Sequence, residues 1–181
     1  LAAWPRDSEL KRAMDLVNGT EANSEDFALA EEIAKGVLAK HATDPEAVTV
    51  MARVQVSFLY RGFDRSDERR ATARRYAERA VQLAPGDAEA LAALGVYYNV
   101  RNSDPERARE LLDRAIALKP TEPFFHRHRD NAMFNDPNML TADAIASAER
   151  TAALFPADAL VHYELARHYR DTGRITEMER E

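Results

Sequence analysis

Three prolines, Pro85, Pro120 and Pro156, close three similar stretches of chain, at separations of 35 residues (85 to 120) and 36 residues (120 to 156). The stretches read AERAVQLAPGDAEALAALGVYY, LDRAIALKPTEPFFHRHRDNAMF and ERTAALFPADALVHYELARHY, each an amphipathic helix that ends at its proline and leads at once into another. A period of this length belongs to helical hairpins, none of which can bury its apolar face without a neighbour. The expected fold class is therefore all-α: an α-solenoid of stacked antiparallel helical hairpins.

Composition narrows the function classes. The 181 residues suffice for one compact domain or one short solenoid, with 45% hydrophobic side chains for the core and 31% charged ones for the outside. A net charge of −6 opposes nonspecific binding to phosphate backbones, so nucleic acid is not expected as a partner. The chain has no cysteine, which excludes disulfides, thiolate metal sites and thiol nucleophiles. No apolar run approaches the roughly 20 residues that span a bilayer, so no membrane insertion is expected. A cytoplasmic location is expected, and a periplasmic one is compatible with the lack of cysteine. From the start at Leu1 and the stop within 174–181, part-way into a second helix, an excised piece of a longer protein is expected.

Helix starts are marked by small polar caps and by proline in the first turn, at Asp44-Pro45-Glu46 and Asp104-Pro105-Glu106, and by Asp87 and Asp158 before alanine-rich runs. Ser8, Ser24, Ser66 and Thr141 read the same way. These signals predict helices over 9–17, 25–40, 45–61, 67–83, 88–100, 105–118, 122–134, 142–154 and 159–171, joined by connections so short that consecutive helices must pack antiparallel. Pro45 reads either as a repeat-closing proline or as the first residue of the next helix. A natural division places an N-terminal helix or cap in 1–23 and about four hairpins, the last incomplete, in 24–181.

The three clearest repeats resemble the tetratricopeptide repeat (TPR). In the one starting at Ala88, Leu91, Leu94, Gly95 and Tyr98 stand at the signature positions of the first helix, and Ala108, Leu112, Ala115 and Pro120 at those of the second. One extra residue in the turn around Asn102 to Asp104 accounts for 35 rather than 34. The next repeat departs from the pattern, with His126, Arg129 and Asp130 where bulky, leucine and glycine residues are usual, before Ala144 and Pro156 restore it. Leu165, Ala166, Tyr169 and Gly173 carry the following one. Upstream, the turn from Tyr60 to Asp67 is longer than the repeat allows, and the segment from Phe27 to Leu94 resembles degenerate repeats fused downstream of DNA-binding or catalytic domains in bacterial regulatory proteins.

This resemblance implies a right-handed superhelix whose first helices line a concave groove. Its groove-facing positions fall on Arg53, Val56 and Ser57, then Val96, Asn99 and Val100, then Arg127, Asn131 and Phe134, then Tyr163, Arg167 and Arg170. The lining is cationic and amide-rich. Arg127 and Asn131 are four apart and share a helix face, and Arg167 joins them from the next hairpin, an arrangement similar to the clamp that some family members close on peptide C-termini. A solvated face with ion pairs to Asp130 or Glu164 is the plainer reading of the same residues.

His126 and His128 point to nearly opposite sides of a helix, and His126 shares with His162 a position that normally packs between helices, so structural histidines are expected and no metal. Asn18-Gly19-Thr20 matches a glycosylation acceptor, but Gly19 reads more simply as a helix stop. The scattered glycines form no phosphate loop or nucleophile elbow, and no catalytic constellation or cofactor is expected. The leading expectation is a non-catalytic protein–protein interaction scaffold, not an enzyme, that holds a protein or peptide partner, acidic or C-terminal, in its groove. Two alternatives stand beside it: a sensory or regulatory region of a larger bacterial signalling or transcription-regulating protein, and a homo-oligomerisation module, for instance a homodimer, whose unfinished last hairpin leaves Leu165, Ala166 and Tyr169 uncovered.

Overall fold

The computed structural model describes residues 6–19, 21–100 and 103–180; Leu1 to Pro5, Thr20 of the glycosylation pattern and Asn102 of the extended turn lie outside the described residues. Among the described residues ten helices follow one another: α1 (Arg6–Asn18), α2 (Ser24–Lys40), α3 (Pro45–Arg61), α4 (Asp67–Leu83), α5 (Ala88–Val100), α6 (Pro105–Leu118), α7 (Pro123–Asn135), α8 (Thr141–Leu154), α9 (Ala159–Asp171) and α10 (Ile175–Met178). Their starts follow from local chemistry. The side chains of Asp44, Ser66, Asp104 and Asp158 each accept a backbone N–H of the first turn that follows them, and Pro45 and Pro105 sit where a missing N–H costs nothing. Pro45 thus begins α3 rather than closing a repeat. Gly62, in the left-handed region at φ 76°, ends α3.

Three expected caps fall elsewhere. Asn23, not Ser24, caps α2: its side chain accepts from Glu25 and Asp26 while Asp26 accepts from the Asn23 N–H, closing a capping box. Thr141 is the first residue of α8, whose cap position, Leu140, offers no side-chain bond. Ser8 lies inside α1.

Each helix packs on its sequence neighbour, and the backbones of α1, α3, α5, α7 and α9 also approach in succession, whereas among the described residues the even-numbered helices come less close and meet through side chains, as Arg69 of α4 does with Glu31 of α2. The stack is tighter on the odd-numbered side, so that side is concave. Close approach there has a specific cause at α5. A Cβ on Gly95 would meet Leu112 Cγ at 2.9 Å and the Ala108 carbonyl at 3.1 Å, so only glycine lets α5 lie this near α6.

One apolar core joins α1 to α3, a second runs from α3 to the start of α7, and a third joins α8 and α9. Between the last two lies α7, whose buried residues include His126, Arg127, His128, Asp130 and Asn131. At the C-terminal end, Leu165 and Tyr169 are buried and Ala166 is half-buried, contrary to the expectation that the short last hairpin would leave all three open. The few residues past Gly173 suffice as cover: Met178 packs on the α8–α9 core, Arg174 stacks over the Tyr169 ring at 4.7 Å, and Tyr169 donates to Glu149 at 2.7 Å.

Candidate ligand-binding cleft

Polar side chains are buried at a cost unless each finds a partner. Along α7 most of them do. Asp130, at the place that Gly95 holds one repeat earlier, accepts from Ser147 at 2.7 Å and from Arg129 at 3.0 Å, so a polar lock across α7 and α8 replaces the close glycine crossing. His126 bonds the Pro120 carbonyl at 2.8 Å through Nε2 and lies against Phe155, which is structural packing. The remaining polar face of α7 looks into a cleft of about 1010 Å³ on the concave side.

Four residues from three helices form a closed network at this cleft. Arg167 of α9 donates to Glu164 Oε2 through Nε at 2.8 Å and through Nη2 at 2.7 Å, and to Asn131 Oδ1 at 2.5 Å. The Tyr60 hydroxyl, from the last turn of α3, donates to Glu164 Oε1 and accepts from Asn131 Nδ2 at 3.3 Å. Burial, and after it the negative charge of Glu164, raise the Tyr60 pKa, so the phenol keeps the proton that it donates. Residues 104 apart in sequence are thereby tied across the concave face.

Deeper in, Arg53 is 1% exposed. It pairs with Glu89, donates to Asn18 Oδ1 at 2.8 Å and lies 3.5 Å from the centre of the Phe124 ring. His128 is wedged between Phe124 and Tyr60 with neither ring nitrogen hydrogen-bonded. Burial first, then the charges of Arg127, Arg53 and Arg167, push its pKa well below the usual histidine range, so it adds no charge at neutral pH.

Arg127 differs from its neighbours. It is 8% exposed, lines the cleft and stands 5.6 Å from the Phe124 ring centre, yet its side chain makes no hydrogen bond or ion pair among the described residues, and its Nε is buried without an acceptor. Of the three arginines whose charges act on His128, Arg53 has Glu89 and Arg167 has Glu164; Arg127 has no carboxylate among the described residues.

The other groove positions divide. Asn99, accepting from Asn135 at 2.9 Å, and Ser57, Val100, Asn131, Tyr163 and Arg167 line the cleft, while Val56 and Val96 belong to the core. Phe134 rests on the His168 ring at 4.3 Å, outside the lining, and Arg170 is exposed and paired with Asp171. Sequence reasoning passed over Tyr60 and Phe124. Both were signalled by helical spacing, Tyr60 one turn beyond Ser57 and two beyond Arg53, and Phe124 one turn before Arg127 and His128. No group of three or more histidine or acidic side chains among the described residues could hold a metal ion.

Comparison with known proteins places this geometry. The tetratricopeptide repeat family model matches residues 65–123 and 141–177, more than half of the chain. The chain belongs to the tetratricopeptide-repeat family. The stretch between the matched TPR segments, 124–140, is most of α7 and the loop after it, so Phe124, Arg127, Asn131 and Asn135 of the cleft come from where the chain leaves the family pattern, while Glu164 and Arg167 come from a matched segment. A thermophilic TPR protein of Thermus thermophilus superposes with a TM-score of 0.72 at 19% identity, over 96% of this chain and 86% of that one. A Thermobaculum terrenum O-GlcNAc transferase mutant gives 0.62 at 18%, over 85% of this chain and 28% of its own. A crystal structure of MamA gives 0.58 at 18%, over 99% of this chain and 91% of that one. At these identities the likeness is one of fold. No curated protein matches the sequence.

Proposed function

We propose that the chain is a non-catalytic interaction scaffold whose concave cleft holds a peptide or a segment of a partner protein by an anionic group of that partner. The single observation that carries this reading is Arg127, a residue more than nine-tenths buried whose side chain lines the cleft and makes no hydrogen bond or ion pair among the described residues. A charge placed so is costly unless a ligand completes it, and a carboxylate is the planar acceptor that its fork matches. Beside Arg127 the side chains of Tyr60, Asn131, Glu164 and Arg167 are engaged with one another, as suits a rigid receptor more than a reactive centre. An acidic side chain or a free C-terminus supplies the anion; the net charge of −6 disfavours nucleic acid.

The test is selection of binders from a displayed library of peptides with free C-termini, followed by affinity measurement on the wild type and on Arg127→Met. The reading expects a loss of about ten-fold or more in the variant, and equal affinities would overturn it. A second reading, a regulatory region fused within a larger bacterial protein, draws support from the O-GlcNAc transferase, of which the matched solenoid is only 28%. The anion would then come from a neighbouring domain of the same chain, and a selected peptide would bind the isolated repeat region more tightly than the longer protein.

A further inference from the structure

Glu164 occupies the cleft as a ligand would. Its carboxylate is buried to 7% exposure, takes Nε and Nη2 of Arg167 on one oxygen and accepts the Tyr60 hydroxyl on the other. Those three donors come from α3 and α9, and Asn131 of α7 braces both of them, by its bond from Arg167 and its bond to Tyr60. This is a complete carboxylate receptor, filled by the chain's own side chain. In the same lining, one turn of α7 before Asn131, Arg127 is the receptor that is left unfilled.

We propose that Glu164 is a resident pseudo-ligand that sets the specificity of the cleft: it reserves Arg167, so that a partner is recognised by one anionic group on Arg127 and gains nothing from a second. The inference rests on the reading of the cleft as a partner-binding site. It reverses the symmetrical roles that sequence spacing gave to Arg127 and Arg167, since a guanidinium whose fork is already closed on a carboxylate has one edge fewer to offer. It also gives the polar network a second effect, because the bond that holds Glu164 is the bond that ties α3 to α9.

The experiment follows the arginine Nε–H signals by NMR during titration with acetate, succinate and inorganic phosphate, in the wild type and in Glu164→Gln. In the wild type, acetate should move the Arg127 signal saturably and leave Arg167 in place, and succinate should bind no more tightly than acetate. In Glu164→Gln, succinate should gain about ten-fold over acetate, with Arg167 now responding. Should Glu164→Gln fail to fold, Tyr60→Phe, which removes one donor and keeps the charge, is expected to give a smaller gain in the same direction. A wild type that already prefers succinate, or variants that leave the ratio unchanged while Arg127 still answers to acetate, would overturn the pseudo-ligand alone. An Arg127 signal that ignores all three anions would overturn the groove reading and this inference with it.

Discussion

Replacing Arg127 by methionine should stabilise the unliganded protein while it weakens binding. Methionine keeps the unbranched stem that packs within α7 and removes the guanidinium. The buried Nε without an acceptor costs about 1–3 kcal/mol. Against that stands the loss of a cation–π contact at 5.6 Å, near the outer limit for such contacts and therefore about 0.5 kcal/mol. Relief of the repulsion that Arg127 exerts on Arg53 acts in the stabilising direction. The balance is a gain of about 1–2 kcal/mol, which for a chain of this length raises Tm by about 2–8 °C. Urea and thermal unfolding followed by circular dichroism, in a buffer free of phosphate and carboxylates, would measure it. A fall in Tm of similar size would refute the reasoning, because it would mean that Arg127 is held by favourable contacts within the chain and is not waiting for an anion.

Three further outcomes are expected. Burial, and after it the charge of Arg167, lower the His168 pKa to about 4, so between the ordinary value of 6.5 and about 4 the unfolded chain binds the proton that the folded one refuses, and stability should fall as pH drops through that window by up to about 3 kcal/mol. His168→Phe should make the profile of unfolding free energy shallower between pH 6.5 and about 5, the remaining slope including that of His128; an unchanged slope would contradict the assignment. Gly95→Ala should destabilise by about 1–2 kcal/mol in urea melts despite its better helix propensity, since the added methyl meets Leu112 and the Ala108 carbonyl, and a more stable variant would show that the α5–α6 crossing yields easily. Asn23→Ala should cost about 1 kcal/mol and Ser24→Ala less than half of that, because only Asn23 accepts the first-turn amides of α2; equal losses would count against the capping box.

The helices and their order were legible in the sequence because period, proline and cap signals agree along most of the chain. The predicted span 45–61 for α3 coincides with the observed one, and 122–134 lies within one residue of α7 at either end. Cap choice failed at α2, where Asn23 and Ser24 have similar cap preference and only the extended backbone at Asn23 decides which oxygen reaches the amides, and at α8, where Leu140 rather than Thr141 holds the cap position. The cleft was legible in part. Spacing along one helix face placed Arg127 and Asn131 together and brought Arg167 beside them, but it carries no information on which carboxylate is nearer. Asp130 was the adjacent acid, and it turned instead to Ser147 and Arg129, leaving Arg127 alone. Tyr60 reaches Glu164 from 104 residues away, a contact set by the curvature of the whole stack and by no local pattern.

The central claim is that Arg127 awaits an anion from a partner, and the most direct measurement is a crystal structure of the chain with a peptide selected for binding. The expected result is a peptide carboxylate in hydrogen-bond contact with the Arg127 guanidinium and the Arg167–Glu164 pair intact beside it. A peptide seated on the convex helices, or in the cleft with Arg127 still unpaired, would contradict it.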